Sequence, residues 1–226
     1  MMDKRIEERA LTPRYTIGEA APLVGRRADS VSRWSFGHER NYKGTRTRDE
    51  PLIPADGERG GLALSFLNLL ELRMLSRYRD GAALQAIRRA LVYVGKELGE
   101  ERPLMTRQFQ VHGGELLTKF AETDDGALLL NASRGGQMTV ETLIENASWT
   151  KDIDYEDESA RGWWFKTRAV PLLVDTRVAA GRPVTAETGV RLDAITSRHR
   201  DGYSNSEIER DTGATPTEVV AAILVA

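Results

Sequence analysis

Apolar residues at Ile17, Ala20, Ala21, Leu23 and Val24 recur at the spacing of one helical face, and Gly25 ends the run. Thr16 ahead of them and Glu19 at the third helical position form a capping box, which predicts a short helix ending at Gly25. A second short helix is expected to begin at Ala28 or Asp29, with Val31 and Trp34 inward and Ser30, Ser32 and Arg33 projecting elsewhere. The next stretch, SFGHERNYKGTRTRDEPLIPADG, is rich in turn formers and suits a hairpin turning at Asn41, Lys43 and Gly44; a charged loop is the competing reading. From Leu64 to Tyr78 the apolar positions Phe66, Leu67, Leu70, Leu72, Met74 and Leu75 predict a packed helix capped near Ser65. Asp80-Gly81 breaks it, and a helix over Leu84 to Leu98 places Ile87, Ala90, Leu91 and Val94 on one face, completing an antiparallel helical hairpin.

Residues 107–168 lose this periodicity. Turn signals at His112-Gly113-Gly114, Asp124-Asp125-Gly126 and Ser133-Arg134-Gly135-Gly136 separate short strand candidates: RQFQV, LLTKF, ALLLN, WTKDIDY and GWWFKT. One helix is expected between Gln137 and Asn146. The acidic run DIDYEDES suits a hairpin tip, and the adjacent Trp163, Trp164 and Phe165 put rings on both faces of a strand, one face in a core and one at an interface. Beyond Gly181-Arg182-Pro183-Val184 three helices are expected. The first runs near Arg191 to His199, with Leu192, Ile195 and Thr196 inward, and stops at Asp201-Gly202; Ser204 or Asn205 caps the second; Thr215-Pro216 opens the third, with Glu218 in a capping arrangement. The fold class is therefore α+β, in three parts: a helix-turn-helix with wing and helical hairpin over 1–106, a β-rich region over 107–168, and a trihelical domain over 169–226.

The net charge of the 226 residues is −2, but its distribution is uneven. Residues 1–107 carry 20 Lys and Arg against 15 Asp and Glu, whereas residues 108–226 carry 12 against 19. A basic first half is the footprint of phosphate neutralisation. The candidate DNA contacts are Arg26, Arg27, Ser30, Ser32, Arg33, Lys43, Arg46 and Arg48. Arg33 has the donors to read a guanine edge or hold a phosphate, Ser30 and Ser32 to meet either, and Arg26 and Arg27 to position the backbone. Lys43, Arg46 and Arg48 fall on the wing, which suits phosphate or minor-groove contact.

Other chemistries find little support. The absence of cysteine removes disulfides, thiolate metal sites and thiol catalysis. His38, His112 and His199 lie far apart in sequence, with no nucleophile, P-loop or dinucleotide motif, so no catalytic residue, cofactor or metal site is expected. Clustered acids such as Asp152 and Asp154, or Glu156 and Glu158, lack a histidine and read as solvated. No apolar run approaches the length of a membrane span, and MMDKRIEERALT lacks the apolar core of a signal peptide, so a cytoplasmic chain is expected.

Two resemblances sharpen this reading. YTIGEAAPLVGRRADSVSRW, then PLIP, then LSFLNLLELRMLSRYRDGAALQAIRRAL, resembles the MerR-type winged helix-turn-helix as it occurs in VapB-type antitoxins. The segment from LLVDTRVAAGRPV to the end is similar to a small trihelical domain recurrent in antitoxins encoded beside PIN-like toxins, through Asp175, Gly181, Arg182, Pro183, Thr188, Gly189 and Asp201-Gly202. Thr176 stands where that family has proline. The chain lacks the long C-terminal coiled coil and cysteine ligands of MerR regulators. The resemblances imply an antitoxin that binds operator DNA as a homodimer and holds a PIN-like toxin; a one-component MerR-like regulator with a ligand-sensing middle region is the alternative. Surplus apolar surface at Tyr78, Tyr93 and Leu98 is the expected dimer contact. The third trihelical helix reads as too apolar and acidic for DNA, with Glu218 expected among the carboxylates opposing phosphate, so protein contact is expected there.

Overall fold

The computed structural model describes residues 4–42, 45–79, 84–102, 105, 119–120, 122–123, 152–156, 159–164 and 170–225. The chain divides into two units, one from residues 11–150 and one from residues 3–10 with 151–226. It is a mixed α+β protein with two small antiparallel sheets.

In the first unit, α2 (Ile17–Val24) and α3 (Ala28–Phe36) follow helix α1 (Lys4–Leu11), which falls to the other unit and had no counterpart in the hydrophobic pattern. Both halves of the α2 capping box form: the Glu19 amide donates to Thr16 Oγ1 at 3.2 Å, and the Thr16 amide donates to the Glu19 carboxylate at 2.8 Å. Gly25 stops the helix at φ 74°, a left-handed backbone that favours glycine; a Cβ there would lie 2.8 Å from Arg73 Nη1, the movable end of a side chain. The ribbon β1 (His38–Tyr42) and β2 (Thr45–Asp49) is paired from His38↔Asp49 to Tyr42↔Thr45, which selects the hairpin over the charged loop. Helices α4 (Phe66–Arg79) and α5 (Leu84–Leu98) follow. Helix α4 is the centre of this unit: Phe66, Leu69, Leu70, Leu72, Met74 and Leu75 are all buried. The segment after the wing returns to it, because Asn68 accepts from the Asp56 amide at 2.9 Å and donates to Pro54 O at 2.9 Å. The unit closes where Tyr15 pairs with Leu64 in an isolated antiparallel bridge, with Arg14 N–H donating to Leu64 O at 2.8 Å.

In the second unit, β3 (Ile153–Glu156), β4 (Ser159–Trp164), β5 (Leu172–Asp175) and β6 (Val184–Thr185) form one antiparallel sheet in that order. The sheet crosses the expected boundary at 168/169, since Trp163 pairs with Ile153 on one side and Val174 on the other. These three buried side chains form the core face, while the Trp164 indole turns the other way and donates to Asp154 at 2.8 Å. Between β5 and β6 the backbone turns left-handed at Ala179, Ala180 and Gly181. Helices α6 (Leu192–Arg200), α7 (Asn205–Thr212) and α8 (Pro216–Val225) then pack together around Ile195, Ile208, Val219 and Ala222.

Several expectations are corrected. Lys119 and Phe120, assigned to a strand in LLTKF, are helical, and the Tyr93 ring, read as surplus surface, lies against Phe120 at 5.4 Å between centroids. The other strand candidates between 107 and 150, the helix over 137–146, and the side chains of Tyr78 and Phe165 lie outside the described residues. Glu218 does not face solvent. It is 0% exposed, and its carboxylate accepts from the amides of Glu187, Thr188 and Thr215 and from the Thr188 hydroxyl. Part of the acidic run is also neutralised internally, because Glu156 sits 3.7 Å from Arg161 and 3.6 Å from Arg177.

Candidate nucleic-acid interface

Helix α3 is anchored through Val31, Trp34 and Ser35, all buried. That phase leaves Ala28, Asp29, Ser32, Arg33 and Phe36 on the opposite face, with Ser30 half-buried at its margin. Arg27, the residue preceding the helix, has an extended backbone and an exposed side chain that makes no cap bond. Neither Arg27 nor Arg33 is engaged with another described side chain, so both guanidinium groups keep their donors for a ligand.

Arg26 has a different part. Its Nε donates to Ser76 Oγ at 2.8 Å and its Nη2 to Ser76 O, which ties the α2–α3 turn to α4. In the reverse direction Arg73 Nη1 donates to Val24 O at 2.9 Å, satisfying a C-terminal carbonyl of α2. Two of the cations in the basic half therefore hold the motif together, and sequence spacing carries no signal for such long-range ties.

The wing carries further exposed cations. Strand alternation puts Arg46 and Arg48 on one face of the ribbon, across from Asn41 and Glu39, and both arginines are exposed. Lys43, at the turn, lies outside the described residues. The hinge from α3 into the ribbon is Gly37, at φ 73°, where a Cβ would stand 2.3 Å from Asp49 O.

The sequence reading missed one cation at this face. Arg59, in the Gly-rich loop after the wing, stacks its guanidinium on the Phe36 ring at 4.7 Å. Its only signal in the chain is an arginine among Gly57, Gly60 and Gly61, which fixes no partner.

The same unit holds a cluster of Asp56, Glu71 and Arg102 in which Glu71 is buried. Arg102 pairs with Asp56 at 2.5 Å and lies 3.7 Å from Glu71. Burial pushes the Glu71 carboxyl up to about 7, against the lowering effect of Arg102; Asp56 adds to the rise and Asn68 opposes it. No group of three or more metal-ligating side chains occurs among the described residues, and no described helix is long and apolar enough to cross a membrane.

The architecture is thus an α+β chain whose first unit presents a short exposed helix beside a two-stranded ribbon. The chain matches no protein-family model and no curated protein sequence. Among solved structures it is similar to that of Rv2018 from Mycobacterium tuberculosis, with 24% sequence identity, a TM-score of 0.72, and coverage of 95% of this chain and 98% of that one. This likeness establishes a common fold over nearly the whole length of both chains.

Proposed function

We propose that this protein is a DNA-binding regulator of the antitoxin type, which docks α3 in the major groove and its wing on the flanking backbone. The observation that carries the reading is the pairing of a helix face bearing Arg27, Ser32 and Arg33 with a ribbon face bearing Arg46 and Arg48, none of these arginines being engaged elsewhere. Small polar and basic side chains on a helix backed by a second helix suit base and phosphate contact, and a basic ribbon beside it suits the neighbouring backbone. Because groove readers of this kind commonly work as two-fold pairs, a homodimer on a pseudo-palindromic operator is part of the proposal.

The second unit is proposed to hold a partner protein, a PIN-like toxin, on the resemblance of its trihelical part to antitoxin-associated domains. The solvent side of α8 supports protein contact: Thr217, Val220 and Leu224 follow one another at 3-4 spacing, Leu224 is 75% exposed, and the one charged residue of the helix, Glu218, is turned inward. Charge depletion of this kind marks the centres of protein interfaces.

Gel-shift titration with duplex from upstream of the chain's own gene tests the first part. Arg33→Ala is expected to weaken binding and relax sequence preference, and unchanged affinity and preference would remove α3 from the interface. Co-purification with the product of the neighbouring gene tests the second, with Leu224→Asp expected to break the complex.

A further inference from the structure

We infer that Arg59 is a DNA-backbone contact, held ready by the Phe36 ring at the C-terminal end of the α3 outer face. The inference rests on the DNA-binding reading above and adds to it a residue 26 positions beyond Arg33. Phe36 lies three residues after Arg33 and four after Ser32, so all three share the outer side of the helix. A guanidinium stacked on that ring therefore extends the same surface by one further cation.

The loop that carries Arg59 is built rather than loose. After the wing, the amides of Leu52 and Ile53 donate to Trp34 O at 2.8 and 3.1 Å, and the Ala55 amide donates to Ser35 O at 3.2 Å. These bonds cap the last carbonyls of α3 and lay the returning chain against the helix end. The excursion over residues 58–62 is then closed by the Gly57 amide donating to Ala63 O at 2.9 Å. A Cβ on Gly57 would meet Leu62 O at 2.4 Å, so only glycine allows this closure. Within it Arg59 is exposed and forms no ion pair, not even with its neighbour Glu58, and its ring contact at 4.7 Å falls within cation–π range. The ring contact takes up none of the guanidinium's N–H donors, and no hydrogen bond or ion pair among the described residues does either, so they remain for phosphate oxygens, which a guanidinium can grip in a bidentate fork. Side chains at the start of a recognition helix meet base edges; a cation beyond its C-terminal end meets the sugar-phosphate backbone.

The test is fluorescence anisotropy with the full chain and two unrelated 30-bp duplexes, titrated from roughly 50 to 200 mM salt. Arg59→Ala should weaken binding to both duplexes by about 5- to 10-fold and reduce the slope of log affinity against log salt by about 0.9, one phosphate contact. Arg59→Lys should keep the slope while losing part of the affinity, because charge survives and the bidentate fork does not. Phe36→Leu should keep the unfolding midpoint within a few degrees and weaken binding by about 2- to 3-fold, as loss of an exposed cation–π contact predicts. An unchanged slope in Arg59→Ala, with the wild-type chain binding normally, overturns this inference and leaves the α3 reading standing. A loss confined to one duplex overturns the assignment to backbone. Failure of the wild-type chain to bind any duplex overturns the reading of the whole face, and this residue's part with it.

Discussion

Glu218→Ala should be among the most destabilising single changes in the second unit. The carboxylate accepts from the Glu187 amide at 2.9 Å, the Thr188 amide at 3.1 Å, the Thr188 hydroxyl at 2.7 Å and the Thr215 amide at 3.0 Å, while fully buried. Burial alone would raise its pKa, but the bonds from Thr188, Thr215 and Glu187 outweigh it and bring the group down from 4.5 to about 2. That difference corresponds to roughly 3 kcal/mol of preference for the ionised form in the folded chain. Truncation to alanine also orphans three backbone N–H groups, so about 3–5 kcal/mol is expected at neutral pH. Glu218→Gln keeps one acceptor oxygen but points an amide at the Thr215 N–H, for a loss of about 1–3 kcal/mol. The depressed folded-state pKa fixes the sign: the stabilisation is complete above pH 4.5 and is lost as pH falls toward 2. The gap between wild type and Glu218→Gln should therefore narrow over that window. Urea unfolding of the full chain, read by pulsed hydrogen exchange in peptides covering 184–225, measures this unit by itself. A gap that stays constant from pH 7 to pH 2.5, or an alanine variant within about 0.5 kcal/mol of wild type, would refute the reasoning.

In the first unit the opposite sign holds for Glu71, whose pKa burial raises to about 7: Glu71→Gln should stabilise by about 1–2 kcal/mol at pH 8 and by almost nothing near pH 4.5, as read by thermal melts at both pH values. Gly37→Ala should cost about 2–3 kcal/mol or more, because the new Cβ would overlap Asp49 O at the hinge into the ribbon; a melt within a degree of wild type would discount the overlap. Ala180→Gly should stabilise the second unit by up to about 1 kcal/mol, since Ala180 occupies φ 54°, ψ 34°, where an L side chain is strained; equal or lower stability by urea titration would argue against stored strain.

What the chain discloses about itself depends on how far apart the cooperating residues lie. The helix ends at Thr16–Glu19, Gly25, Ser204–Glu207 and Gly213 are local, three or four residues closing on themselves, and their spacing is enough to place α2 and α7. The α3 outer face follows from the phase of Val31 and Trp34. The sheet is less accessible: nothing in GWWFKT says that Trp163 pairs with Val174 as well as Ile153. Polar roles were hidden for the same reason. Arg26 looks like a backbone-positioning cation until Ser76, 50 residues away, takes its donors, and Glu218 looks like a surface carboxylate until the 187–188 turn folds over it. Arg59 is the converse case, a loop residue brought to the helix by backbone bonds that leave no trace in side-chain pattern.

The bridge between Tyr15 and Leu64 has a consequence for how the protein is made. Every residue of α3 is synthesised before Leu64 and Ser76, yet the turn ahead of α3 is tied to Ser76 and Tyr15, ahead of α2, to Leu64. A nascent chain ending after the ribbon holds the complete α3 sequence without its seat. Translation at roughly 5–20 residues per second makes that interval a few seconds. Hydrogen exchange on stalled chains should show α3 protected only once residue 76 has cleared the exit tunnel, so the seated helix arises late, and all at once.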